Sequence, residues 1–401
     1  ALLGALKPMI PDDEKEQAQA VFRALGLERF HGVGLVLRVA PDAQRDLDIR
    51  LLATAEAPKP PLLEVLTPAA LATTGHRQLT AGLAGFLVAN YDIGKIVRQV
   101  SQMVQAGGGP PFLQLLQAGM AQTGGQDGTR PPVDFANDVL GQLSGPVMVL
   151  YRLVQPYTRP GAQRIRLAVG VRDAGVLDTA LGRIHDTFLA QGNKEMRREL
   201  RGTSIYLLGG AALMPMMMGM GPMGPAGQAE QDPAAMAVVG SSLVIGPASG
   251  VTQAVRDRGR DDLKPIQTDA RYRHAARFLP AQAGAWGYDD GVHSAGFLWE
   301  NLKEEATREK ARERRARERR RGDDFGEDVP EDLPMGPEPR FASPFGHMLR
   351  GLDLEDAADF TTLPPFAAVR KYFGPSIGFL KATDDGLRIE MTLCKPPPED
   401  Q

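Results

Sequence analysis

A short apolar strand, a small turn and an amphipathic helix follow one another four times along this chain. The first copy occupies 85–94, and the residues after it place apolar side chains on one face of a 3.6-residue period. The other copies occupy 165–175, 242–250 and 283–291, each followed by a similar apolar helix face. The pattern predicts strands that carry their own helices to cover a sheet.

An Asp or Ser stands at the turn of every copy, where its oxygen would accept a hydrogen bond from the first helical turn. The capping residues predicted in this way are Asp92, Asp173, Ser249 and the pair Asp289 and Asp290. Four copies of one unit indicate duplication of a supersecondary element. Their uneven spacing does not fit a regular solenoid.

Alternating apolar segments also predict β-hairpins. Segments 33–39 and 47–53 flank a turn at 41–44, and segments 377–382 and 387–393 flank an Asp-Gly turn. Two further predicted strands, 204–208 and 236–239, are separated by a long insertion. Hairpins mixed with single helices favour an α+β fold with antiparallel sheets and helices packed on one face.

Three segments have the composition of insertions. Residues 106–133 are rich in Gly, Pro and Gln, residues 211–233 are rich in Met, Gly and Pro, and residues 303–344 pass from a charged helix into an acidic, Pro-rich stretch. Such segments bury little apolar surface, which predicts mobile loops. The sequence therefore predicts an N-terminal domain (1–145), a central domain (146–302), a charged linker (303–344) and a C-terminal helix with a β-hairpin (345–401).

Charge and cysteine content exclude some classes of function. The net charge is −3 over 401 residues, which gives no general attraction to nucleic acid. The single cysteine, Cys394, has no partner for an internal disulfide or a thiolate zinc site. No run approaches the ~18 apolar residues that a membrane-spanning helix needs.

Four segments together resemble a known family. They are the strand and turn at 165–173, the Gly-then-Tyr strand at 201–206, the strand pair at 236–246 and the helix running into a strand at 272–280. The pattern resembles a bacterial exported family catalogued only as a domain of unknown function (number 3352), over about residues 80–300. The resemblance implies export and anchoring near an envelope membrane, through a signal or anchor upstream of Ala1. It implies no activity and no functional residues.

Two glycine-rich motifs lack the context that nucleotide binding requires. Residues 219–224 match G-x-G-x-x-G, but no strand precedes them and no helix follows, so the sequence does not predict a dinucleotide site. The segment 107–111 lacks the Lys of a phosphate-binding loop.

A methionine cluster is a candidate ligand set for Cu(I), because thioethers are soft ligands. Its members are Met214, Met216, Met217, Met218, Met220 and Met223. Neither His nor Cys accompanies the cluster, which favours a low-complexity loop. Metal handling by this loop remains an alternative.

The segment 303–321 holds ten Lys or Arg and five Glu. Pairs such as Glu304 and Arg308 are spaced to support a solvated charged helix. A contact with a polyanion or an anionic lipid is the alternative, and the acidic residues that follow the segment weigh against it.

Other chemistry-bearing residues have structural interpretations. The histidines show no metal spacing and are predicted to be surface or capping residues; they are His31, His76, His185, His274, His293 and His347. Asp289 and Asp290 resemble a carboxylate pair but precede a helix, which favours capping. Trp286 and Tyr288 share one strand face and, with Trp299, are predicted to pack in a core rather than form an aromatic binding surface.

These observations assign no catalytic, cofactor-binding or metal-binding residues. The sequence predicts a non-catalytic extracytoplasmic binding or structural protein of the periplasm or cell envelope, with a protein or envelope polymer as partner and no nucleic acid. A hydrolase whose site is assembled from distant residues is the second hypothesis. The sequence assigns no oligomeric state.

Overall fold

The computed structural model describes residues 25–398 except 75, 77, 107–111, 125–130, 160, 191–192, 209–231, 261 and 323–358, together with 19, 22 and 23. These residues form an α+β fold with one large antiparallel sheet. The predicted fold class is confirmed at this level.

The strands follow the apolar segments of the sequence, including both predicted hairpins. Their bounds are β1 (Phe30–Val39), β2 (Arg45–Ala55), β3 (Leu71–Ala72), β4 (Gly85–Ala89), β5 (Leu143–Leu153), β6 (Gln163–Val171), β7 (Arg197–Leu200), β8 (Thr203–Leu207), β9 (Ala234–Val239), β10 (Ser242–Pro247), β11 (Gln282–Ala283), β12 (Ala285–Asp289), β13 (Ser376–Thr383) and β14 (Gly386–Cys394).

Twelve of these strands form a single sheet in the spatial order β1-β2-β14-β13-β12-β4-β5-β6-β10-β9-β8-β7. Every pairing between the named strands is antiparallel. Strands β3 and β11 form a separate short pair. The sheet contains strands from the predicted N-terminal, central and C-terminal domains, whose boundaries stay a prediction.

The helices include the four that the sequence places after turns, together with several others. Their bounds are α1 (Pro61–Leu66), α2 (Ile93–Ala106), α3 (Phe112–Met120), α4 (Ala174–Ile184), α5 (Ala248–Asp257), α6 (Ala270–Ala276), α7 (Gly291–Gly322) and α8 (Phe366–Val369). Short π-helical turns at Phe135–Val139 and His185–Ala190 complete the helical elements used below.

Three of the predicted caps form and one does not. Asp92 accepts from Lys95 N at 2.8 Å, Asp173 accepts from Gly175 N at 2.9 Å, and Asp290 accepts from Val292 N at 3.1 Å. The predicted cap at Ser249 is wrong, because α5 already begins at Ala248. Asp232 Oδ1 instead accepts from the Ser249 backbone N–H at 2.8 Å.

Helices cover both faces of the sheet, so the prediction of helices on one face is wrong. On one face, here called the front, Phe86, Trp286 and Tyr288 share a core with residues of α5 and α6. On the opposite face, the back, Tyr206 of β8 shares a second core with α3, α4 and the turn Phe135–Val139. Successive side chains of a strand point to opposite faces, so strands such as β8 carry apolar residues for both cores.

Part of the first predicted insertion is ordered. Within 106–133, α3 places Met120 in the back core, and Val133 is fully buried beside it. The apolar side chains of this segment therefore pack in a core, although its Gly, Pro and Gln content predicts a loop. Most of 211–233, and all of 303–344 after 322, lie outside the described residues.

The aromatic prediction is confirmed for the central strand. Trp286 and Tyr288 are buried on the front face, and the Trp286 ring meets Phe86 edge-on at 5.0 Å. Trp299 lies on α7, where its Nε1 donates to Pro364 O at 2.9 Å and its ring contacts Phe366.

Candidate binding surface

The back face is apolar but largely uncovered from the β1 edge to the middle of the sheet. One row of register-paired residues crosses seven strands there: Leu37, Ile49, Met391, Gly378, Gly287, Leu87 and Val149. Leu87 is 48% exposed although β4 is an interior strand. At the edge, Leu35 is 60% exposed and Val39 is 81% exposed. We call this surface the open back face.

The neighbouring rows have the same character. They add Val33, Leu35 and Val39 of β1, Leu47 and Leu51 of β2, and Ile389 and Leu393 of β14. The seven strands from β1 to β5 span about 29 Å at the usual strand separation. Monomeric proteins rarely expose a contiguous apolar patch of this extent without a use for it.

The front face of the same outer strands is more polar, although Val36 and Leu52 are exposed on it. Arg50 Nε lies 3.4 Å from Glu390 Oε2, Arg388 also pairs with Glu390, and Thr392 Oγ1 donates to the buried Asp48 at 3.0 Å. An antiparallel sheet with one solvated face shows this alternation when its apolar face is packed against another element. The open back face therefore has the composition of a covered surface.

Two glycines form the floor of the open back face. A Cβ at Gly287 would approach Phe86 O to 3.0 Å, and one at Gly378 would approach Glu390 O to 3.0 Å. Without side chains at these positions, the surface dips between Leu87 and Met391. Such a dip lets another backbone or helix approach closely.

Elements of the chain border this surface at both ends of the strands. Leu63 of α1 packs with Ala55, Leu387 and Leu380 at one end. At the other end, Ser294 of α7 donates to Asp289 Oδ1 at the end of β12. Farther along the same face, α4 covers strands β8 to β10 in the back core. Among the described residues, α2 and α7 also reach β5, so the open back face is the part of this face that lies between α1, α2 and α7.

Asp289 and Asp290 anchor the start of α7 to the sheet. Both carboxyl groups are buried, and burial raises the pKa of Asp289 to about 6. The Tyr151 ring lies against Gly85 beside Asp289, and burial raises the Tyr151 pKa well above its usual range. Capping and anchoring account for this pair.

Asp290 also joins two further elements. Arg271 Nε of α6 donates to Asp290 Oδ1 at 2.8 Å, and Arg271 Nη2 donates to Phe373 O at 2.8 Å. His293 Nε2 lies 3.7 Å from Asp290 Oδ2, and His293 Nδ1 is 3.0 Å from the Tyr157 hydroxyl oxygen. The network ties α6, α7 and the segment before β13 to the end of β12. A hydrolase site stays a prediction.

A polar cleft of about 370 Å³ lies between the end of β4 and the starts of α2 and β5. Its charged lining includes Glu64 and Lys95, which pair at 3.0 Å, together with Asp92 and Arg172. Asp92 is the α2 cap and Lys95 is neutralised by Glu64. These roles account for three of the four charged side chains named here and leave Arg172.

The histidines do not gather in the described part of the chain. His185 differs from the predicted surface or capping role, because it is fully buried and its Nε2 lies 3.0 Å from Leu207 O. His185 begins the π-helical turn that packs α4 on β8, and its ring lies 5.2 Å from the Tyr206 ring. His347 and the methionine cluster lie outside the described residues.

No three His, Cys, Asp or Glu side chains in the described ranges form a potential metal site. Cys394 is fully buried, and burial raises its thiol pKa to about 12. No helix within those ranges is long and apolar enough to cross a membrane.

The sequence reasoning missed the open back face as a site. The alternation in 33–39 and 47–53 was its signal, since it predicts a hairpin with one apolar side. Comparison with known proteins adds nothing to this assignment: no family model, no curated protein and no solved structure matches the chain.

Proposed function

We propose that this chain is a non-catalytic, extracytoplasmic binding protein whose open back face receives an amphipathic helix of a partner protein. The observation that carries the proposal is the contrast between the two faces of β1, β2 and β14. One face bears ion pairs suited to water, and the other bears Leu, Ile, Val and Met side chains that nothing described covers.

A helix is favoured as the occupant because the rest of the sheet is covered in that way. Amphipathic helices α4 and α5 cover the back and front of strands β8 to β10. The row from Leu37 to Val149 spans about 29 Å, which matches a helix of about 19 residues laid across the strands. The dip at Gly287 and Gly378 would accept the closest turn of that helix.

A protein partner is favoured over an anionic membrane by the charges near this surface. The turn between β1 and β2 carries Asp42, and β2 begins with Arg45 and Asp46. Arg45 is paired with both Asp42 and Asp48. A membrane-binding surface would instead need a basic rim. The net charge of −3 also disfavours attraction to an anionic membrane.

Extracytoplasmic location, attachment to an envelope membrane and a duplicated origin also belong to the proposal. The first two are supported by the resemblance of 165–173, 201–206, 236–246 and 272–280 to the exported family. Duplication is supported by the four successions β4–α2, β6–α4, β10–α5 and β12–α7.

Site-specific photocrosslinking in intact cells tests the binding function. A photoreactive residue replaces Leu37 on the back face in one variant and its neighbour Arg38 on the front face in the matched control. We expect one partner protein to crosslink at Leu37 and not at Arg38. The same crosslink should disappear when Ile49→Asp is added and the protein still unfolds cooperatively.

Two outcomes would contradict the binding proposal. One is an equal adduct pattern at Leu37 and Arg38, which would show nonspecific contact. The other is a crosslink formed only within a single copy of the chain, which would make the occupant intramolecular. Separately, protease added to cells whose outer membrane has been opened and whose inner membrane is sealed should degrade the chain. Full protection would contradict the extracytoplasmic location.

A further inference from the structure

Among the described residues, the outer edge of β1 from Val33 to Val39 lacks the features that usually keep sheet edges from pairing; the one irregularity of the strand lies between Phe30 and Gly32. The strand is ten residues long, contains no Pro and carries one Lys or Arg, at Arg38. The opposite edge of the same sheet, β7, is four residues long and begins with Arg197, Arg198 and Glu199. Short, charged edges prevent association, and long apolar edges invite it. One edge of this sheet is therefore protected and the other is not.

The hairpin geometry determines which backbone groups of β1 face outward. Ala40 N donates to Asp46 O at 2.7 Å, next to the paired residues Val39 and Leu47. Hydrogen-bonded and non-hydrogen-bonded pairs alternate along an antiparallel ladder. The N–H and C=O groups of Val33, Leu35, Leu37 and Val39 therefore point away from β2.

We propose that β1 pairs antiparallel with β1 of a second copy of this chain, with Val36 of both copies on the two-fold axis. In this register Leu35 lies opposite Leu37 of the other copy and Val33 lies opposite its Val39. All four outward-facing residues then form hydrogen-bonded pairs, and every one of them faces another aliphatic side chain.

The charge and exposure of β1 support a second copy as the occupant. Arg38 lies opposite Gly34 in this register, so no like charges face each other across the axis. A register centred on Leu35 would instead place Val39 opposite His31. Val36, which is 47% exposed on the front face, gains its own symmetry mate as a neighbour. Isologous pairing of this kind closes after two copies.

Disulfide formation across the axis tests the register. Val36→Cys introduces the accessible thiol, because the native Cys394 is fully buried. Non-hydrogen-bonded antiparallel pairs hold their Cα atoms about 4.5 Å apart, within the range that a disulfide bridges. We expect Val36→Cys to form covalent dimers under mild oxidation about tenfold faster than Arg198→Cys, the matched thiol on the protected edge.

Sedimentation of the full chain gives the second readout. The unmodified protein should show a concentration-dependent dimer. Val36→Lys should abolish it by placing two like charges on the axis, and the matched Val36→Thr should retain it. Crosslinking of Val36→Cys no faster than Arg198→Cys, or a wild-type chain that stays monomeric at every concentration tested, would overturn the proposal.

The proposal stands apart from helix binding at the open back face. It concerns the backbone edge of β1, whereas the proposed function concerns the back-face side chains from β1 to β5. A monomer that still crosslinks a partner at Leu37 would remove the dimer and keep the binding function. A dimer without that crosslink would support the pairing of β1 and remove the binding function.

Discussion

Adjacent residues of β4 should respond very differently to the same substitution. Leu87 points to the open back face and is 48% exposed, whereas Val88 points to the front core and is 0% exposed. Both lie in an interior strand of the sheet. Leu87→Ala and Val88→Ala therefore compare the two faces at one place in the fold.

The size of each effect follows from burial. Leu87→Ala removes three carbons at about 0.8 kcal/mol each when fully buried, so half exposure leaves a loss of about 1 kcal/mol. Val88→Ala removes two fully buried carbons and leaves a cavity beside Trp286, which together cost about 2 to 3 kcal/mol. The larger side chain should thus matter less.

Urea unfolding followed by tryptophan fluorescence measures both changes, since Trp286 lies in the front core beside Val88. The midpoint should fall slightly for Leu87→Ala and clearly for Val88→Ala, with similar slopes. A loss for Leu87→Ala equal to or larger than that for Val88→Ala would refute the reasoning, because it would mean that Leu87 is covered in the isolated chain.

Three further outcomes are expected. The pKa of Asp289 is raised from 3.8 to about 6, so the folded state keeps a proton there that the unfolded state has released. The free energy of unfolding should therefore fall as pH rises between these values. Asp289→Asn should remove that part of the pH dependence, measured by urea unfolding at several pH values. An unchanged pH dependence would contradict the burial of this carboxyl. Gly85→Ala should destabilise the fold because its Cβ would overlap the Tyr151 ring. In a double-mutant cycle, adding Tyr151→Ala should recover part of the lost stability. Additive effects of the two substitutions would contradict the contact. Leu37→Ser should lower the fluorescence of bound ANS dye relative to Arg38→Ser, and equal signals would count against an apolar open face.

The hairpins and strand–helix units were predictable because each is local. An Asp-Gly turn or a capping Asp acts over a few residues, and the caps at Asp92 and Asp173 follow directly. The Ser249 cap failed because its replacement, Asp232, is distant in sequence. A cap of that kind depends on tertiary structure.

Strand β5 was not predicted, for a different reason. Its residues 147–151 form a continuous apolar run, which an interior strand shows and which has no clear period. Gly145 and Pro146 precede the run, and a Gly-Pro pair indicates a turn rather than a strand. In the fold, an irregularity between Leu143 and Val147 absorbs them, and Gly145 takes a φ of +84°.

The open back face could be predicted only in part. The alternation of 33–39 and 47–53 gives one apolar side to the hairpin. Whether a helix of the chain covers that side depends on the path of the chain after β2. Leu87 shows this limit most clearly. The sequence predicts that an apolar residue in an interior strand is buried, whether or not a helix covers its face.

Thiol accessibility at positions 87 and 88 tests the openness of the back face most directly. With Cys394 buried, Leu87→Cys and Val88→Cys each present one thiol to a maleimide in the folded, isolated chain. The structure predicts rapid modification at position 87 and modification at position 88 only through unfolding. Equal protection at both positions would show that the back face is sealed, and would contradict a binding surface there.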